Sequence, residues 1–125
     1  MRRPLLTLAA LATAAAGLAA CGGTDGGASG CTPGPTLTVL AEDALKFGAD
    51  AYEASAGCLE VTYQNQGSIA HTLLIKNVKG FKLSVGRTDK GTVQLEPGSY
   101  TLYCDVAGHE AAGMVADLTV TELTG

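Results

Sequence analysis

The sequence predicts an all-β domain, an antiparallel Greek-key β-sandwich, and three observations carry that expectation. Beyond Pro35 the apolar residues recur with a period of two rather than about 3.6, as along half-buried strands. The alternating stretches are short, and turn signals separate them: Asn65-Gln66-Gly67, Lys79-Gly80, Asp89-Lys90-Gly91 and Pro97-Gly98. Helical periodicity is almost absent. Many short strands at this spacing are the pattern of two packed sheets with Greek-key connections.

The 125-residue chain has room for one domain, and its first part reads as something else. Met1-Arg2-Arg3-Pro4 is a charged start, followed by a Leu- and Ala-rich run from Leu5 to Ala20. Gly17 interrupts that run, which falls short of the roughly twenty apolar residues a membrane-spanning helix needs. Residues 1–20 therefore read as a removable export signal. Arg2-Arg3 lacks the surroundings of a twin-arginine signal. Leu18-Ala19-Ala20-Cys21 resembles a bacterial lipobox, where a thiol takes the lipid and small residues before it fit the peptidase. Cys21 is the expected lipidation site, and the plainer alternative is an ordinary signal with a cysteine after it. Residues 21–35 are rich in Gly and small polar residues and read as a flexible tether. The domain is expected over 36–125.

Within it, 36–40 and 59–64 alternate apolar and polar residues. Stretches 69–76, 81–85, 92–95, 99–104 and 114–122 also read as strands. Residues 42–56 are ambiguous between an irregular strand and one helical turn. About ninety residues of sandwich support a single core, although a marginal one.

Removing residues 1–20 takes away two of the eight basic residues and none of the twelve acidic ones, which leaves a net charge of −6. An acidic domain without a basic run excludes nucleic acid as a partner, because the phosphates would repel it. The same acidity predicts protein partners with a basic docking surface. Any contact with a membrane is expected through the lipid alone. Of the four cysteines, Cys21 belongs to the lipobox and Cys104 to the constellation below. Cys31 and Cys58 remain as candidates to pair in an oxidising compartment outside the cytoplasm, the alternative being two free thiols.

Near the C-terminus, Cys104, His109 and Met114 stand with four residues between each, in a loop joining two predicted strands. The other histidine, His71, lies in the predicted strand 69–76. Strand parity places His71 with Ile69, Leu73 and Ile75; Cys104 with Tyr100 and Leu102; and Met114 with Ala116, Leu118 and Val120. Each lies on an apolar face, so the three are free to converge at one end of the core, with His109 above them. Two imidazoles, a thiolate and a weak axial thioether are the donor set of a blue-copper site. Alone, His71 would read as a packed strand histidine and Met114 as core filler. Zinc suits the set less well, since thioether is a poor ligand for it. Cys–His nucleophilic catalysis lacks an orienting carboxylate and an oxyanion loop, so the chain is expected not to be an enzyme.

These residues, in this order and strand context, resemble the cupredoxins of the plastocyanin, auracyanin and halocyanin type over 36–124. The resemblance implies one type 1 copper per chain, with His71, Cys104 and His109 equatorial and Met114 axial. It also implies one-electron carriage; a copper-holding or delivery lipoprotein is the alternative. Thr72 stands where many relatives have Asn, and Ala107 where a Pro often precedes the Gly. The Val106 N–H is a candidate donor to the Cys104 sulfur. His109, among Ala107, Gly108, Ala111, Ala112 and Gly113, is the expected electron port, with Asp105 and Glu110 flanking it. Tyr103 reads as a half-buried strand residue, with a second electron route as the weaker reading.

Overall fold

A computed structural model describes residues 31–123. The expected signal segment and Cys21 lie outside the described residues. Among those described, no helix forms, and none is long and apolar enough to cross a membrane. The strands are β1 (Thr36–Glu42), β2 (Lys46–Phe47), β3 (Ala51–Ser55), β4 (Gly57–Asn65), β5 (His71–Ile75), β6 (Lys82–Val85), β7 (Thr88–Leu95), β8 (Gly98–Tyr103) and β9 (Val115–Thr121). They form two sheets, ordered β2-β1-β4-β7 and β3-β9-β8-β5-β6.

The period-two pattern decides what is buried. In β9 exposed and buried residues alternate throughout, and Ala116, Leu118 and Val120 face in. Val39, Leu59, Val61, Leu73, Leu83, Val93 and Leu102 meet them in the layer between the sheets. Each such side chain contributes roughly 1.5–3 kcal/mol relative to exposure. Tyr63 is fully buried, packs edge-on against Phe47 at 6.3 Å between centroids, and donates its hydroxyl to the Thr72 carbonyl at 3.2 Å. That bond crosses from one sheet to the other beside His71. Burial pushes the Tyr63 phenol well above its ordinary value, so it remains a donor.

The sandwich expectation holds, with one difference in strand direction. Each sheet is mixed: β1 runs parallel to β4, and β3 parallel to β9. Alternation reports which face is buried but is blind to direction. Parallel neighbours need long crossovers, and here β2 and β3 lie between β1 and β4. The ambiguous 42–56 holds the end of β1, then β2 and β3. The expected turn at Asp89-Lys90-Gly91 falls inside β7, where buried Gly91 lies opposite Val61. The chain turns instead at Gly86-Arg87. The strand expected from Ile69 begins at His71, and Ile69 is exposed.

Cys31 and Cys58 form a disulfide with Cα atoms 5.8 Å apart. It lies where the Gly34 N–H donates to the Cys58 carbonyl (2.9 Å) and the Ala56 N–H to the Thr121 carbonyl (2.7 Å). Thr121 ends β9, and Met114 precedes its start. Seven residues at about 3.3 Å each put the two poles roughly 23 Å apart.

Candidate metal centre

At the pole opposite the disulfide, three strand ends and one loop bring their chemistry together. His71 opens β5, Cys104 follows β8 and Met114 precedes β9; all three are buried. His109 sits on the loop between β8 and β9 and is 9% exposed. Backbone bonds close that loop on itself. The His109 N–H donates to the Val106 carbonyl (2.9 Å), Met114 N–H to the His109 carbonyl (3.0 Å) and Cys104 N–H to the Met114 carbonyl (3.3 Å). Gly108 (φ 84°) and Gly113 (φ 111°) hold left-handed positions, and nothing lies within 4 Å of a β-carbon at either. Backbone conformation, not space, requires glycine there.

The donors converge. His71 Nδ1 and His109 Nδ1 lie 3.2 Å apart, Cys104 Sγ is 3.6 Å from His109 Nδ1, and all three ligand atoms fall within 4.8 Å of one another. Nitrogen and sulfur donors bound tetrahedrally to one ion at about 2.0–2.3 Å lie roughly 3.3–3.6 Å from each other, so the spacing fits a single metal ion. Burial, and then the neighbouring His109, hold the His71 imidazole below its ordinary value and keep it neutral as a ligand must be. Its Nε2 is buried without a hydrogen bond, and the Glu42 backbone pulls weakly in the opposite sense on the ring's pKa.

The sulfur is approached from β5. The Thr72 N–H and the Thr72 hydroxyl each lie 3.4 Å from Cys104 Sγ, whereas Val106, the candidate donor, makes no such bond. The loop turns there so that Val106 presents its carbonyl to His109. The Thr72 hydroxyl also meets Asp105 Oδ1 at 2.6 Å and accepts the Asp105 N–H at 2.9 Å. Lys82 Nζ lies 2.8 Å from Asp105 Oδ2. Lys82, with Thr72 behind it, holds the Asp105 carboxyl below the usual carboxylate range.

Around His109 the surface consists of small residues: Ala107, Gly108, Ala111, Ala112 and Gly113 are all exposed. Glu110 pairs with Lys76, whose ammonium also sits 4.0 Å above the half-buried Tyr103 ring. Both carboxylates that flank the histidine are thus matched by a lysine, an arrangement that residue order alone did not disclose. Lys76 and Lys82 come from β5–β6, far from the loop in sequence, and only strand register sets them beside it.

Neither a protein-family model nor a curated protein sequence matches the chain. Solved structures do. A dithionite-reduced auracyanin from the photosynthetic bacterium Roseiflexus castenholzii superposes with a TM-score of 0.59 at 18% identity, covering 69% of this chain and 96% of that one. Auracyanin B superposes with a TM-score of 0.57 at 21% identity, covering 69% of this chain and 88% of that one. With two mixed sheets, a buried His–Cys–His cluster at one pole and these structural neighbours, the chain has the cupredoxin fold.

Proposed function

We propose that the chain is a one-electron carrier that holds one copper ion between His71, Cys104 and His109, with the Met114 thioether as a weak axial donor. The observation that carries this reading is the meeting of two imidazole nitrogens and a thiol sulfur, 3.2 and 3.6 Å apart, within a buried pole of the sandwich. Copper bound to such a set cycles between Cu(I) and Cu(II). The protein's part is positional. The sheets fix His71 and Cys104, the closed loop fixes His109, and little has to move when charge changes. The surface of small residues lets a redox partner approach the His109 ring.

The chain acts outside the cytoplasm in this reading, tethered by lipid at Cys21. The Cys31–Cys58 disulfide supports the compartment, and the lipobox-like Leu18-Ala19-Ala20-Cys21 supports the anchor. Its partners are redox proteins with a basic docking surface. Acidic side chains exposed on the β3–β9 edge, Asp50, Glu53 and Asp117, supply the long-range field, since Asp105 and Glu110 are paired.

Titration of the full chain with Cu(II) tests the reading. Intense visible colour that saturates at one equivalent and survives a mild chelator is the expected result. Colourless, rapidly exchanging Cu(I) would instead assign a copper-delivery role, and no uptake would overturn both.

A further inference from the structure

His71 is the only proposed ligand that comes from outside the Cys104–Met114 loop, and the segment leading to it is not a strand. Residues 66–70 cross from β4 to β5, and two side chains hold them from either side. Asn65 Oδ1 accepts the Gly67 N–H at 2.9 Å, and Asn65 Nδ2 donates to the Ile69 carbonyl at 2.6 Å. The second side chain arrives from elsewhere in the sequence. Asp43, between β1 and β2, takes the Ser68 N–H on both carboxylate oxygens (2.8 and 3.0 Å) and the Ile69 N–H on Oδ1 (2.9 Å). Gly67 makes room for it: a β-carbon there would overlap the Asp43 carboxylate, while the Gly67 backbone itself avoids the left-handed region. Space, not conformation, demands that glycine. Charge-assisted bonds to backbone N–H groups are about twice as strong as neutral ones. They end two residues before His71, and the negative charge of Asp43 also acts on the His71 ring.

We propose that Asp43, seated against Gly67, is a positioning residue that sets His71 in the copper site from a separate strand connection; this rests on the copper reading above. Without Asp43 the 66–70 segment keeps the Asn65 bonds and, at its start, the Gln66 N–H bond to the Ala41 carbonyl (2.9 Å), but Ser68 and Ile69 lose their acceptor and the His71 imidazole loses its fixed approach to Cys104.

The test uses the full chain, Asp43→Ala, Gly67→Ala and Asp43→Asn. Amide exchange at Ser68 and Ile69 is followed in the metal-free protein, and the visible spectrum and chelator-driven Cu(II) loss in the loaded protein. Asp43→Ala and Gly67→Ala are each expected to speed exchange at Ser68 and Ile69 by at least tenfold, speed Cu(II) loss by at least tenfold and move the visible band. Amides of Leu59 and Val61 in β4 keep their wild-type rates. Asp43→Asn retains an acceptor oxygen and recovers most of the protection. Wild-type band and release in both alanine variants would overturn the proposal, as would exchange speeding equally at Leu59 and Val61. A wild-type chain that binds no copper would sink the function reading and this inference together; coloured wild type with unchanged variants sinks only the inference.

Discussion

The Thr72 hydroxyl and Asp105 bind each other reciprocally: Thr72 donates to the carboxylate Oδ1 at 2.6 Å while the Asp105 backbone N–H donates back to the hydroxyl at 2.9 Å. One hydroxyl carries one proton. The carboxylate, kept ionised by Lys82, is a better and closer acceptor than Cys104 Sγ at 3.4 Å, so the sulfur receives only the Thr72 backbone N–H. The side chain of Thr72 therefore ties β5 to the loop after Cys104 without itself bonding the sulfur.

It follows that Thr72→Val, similar in volume but without the hydroxyl, loosens that tie and leaves the sulfur's donor in place. Unfolding by urea should show a loss of about 1–2 kcal/mol. The copper colour should persist, with a smaller shift in reduction potential than Met114→Leu causes. Loss of the colour would mean that the hydroxyl is bound to the sulfur after all.

Cys104→Ser and Met114→Leu separate the two sulfur ligands. The first removes the thiolate and with it the thiolate-to-copper band. The second removes only the weak axial donor, so the colour stays while the potential shifts. Optical spectra and voltammetry decide both; colour in the serine variant contradicts the assignment of Cys104.

The pH response of the metal-free chain isolates His71. Burial and His109 hold its folded pKa below the ordinary value, so below about pH 6.5 the unfolded chain takes up a proton that the folded chain refuses. Stability is complete above that value and falls as pH drops through it. Asp43 and Asp105, also held low by their hydrogen bonds, act in the same sense only below about pH 4. Urea midpoints should therefore decline between about pH 7.5 and 5, and should not decline in His71→Leu. A flat wild-type profile would contradict the buried, neutral imidazole.

Replacing both Cys31 and Cys58 by serine removes a cross-link spanning 27 residues, which on the chain-entropy model costs about 3.5 kcal/mol. The disulfide lies at the pole away from the copper site, so the visible spectrum should be unchanged while the melting temperature falls. A changed spectrum would show that the two poles are coupled.

Much of the site was legible because period two is a statement about faces. His71 at the start of β5, Cys104 just after β8 and Met114 just before β9 are all buried, as parity suggested, and Cys31 and Cys58 pair as expected. Ile69 misled, because a run of apolar residues does not show where pairing starts; the turn at Asn65-Gln66-Gly67 extends through it. Asp89-Lys90-Gly91 misled for the opposite reason, since glycine in a strand mimics a turn. What sequence could not disclose is every contact set by register. Lys82 on Asp105, Lys76 on Glu110, Thr72 on Cys104 and Asp43 on Ser68 each join residues more than twenty positions apart. No local pattern encodes them.

The burial of Cys104 bears on how the chain matures. Three cysteines of the described residues can compete for one bond during oxidation, at separations of 27, 46 and 73 residues. Loop entropy favours the native pair over the two wrong ones by only about 0.5 and 0.9 kcal/mol. Chain statistics alone would leave a sizeable share of molecules misjoined. Closing of the sandwich buries the third thiol and withdraws it from oxidants, so folding adds to the selection that chain statistics supply only weakly.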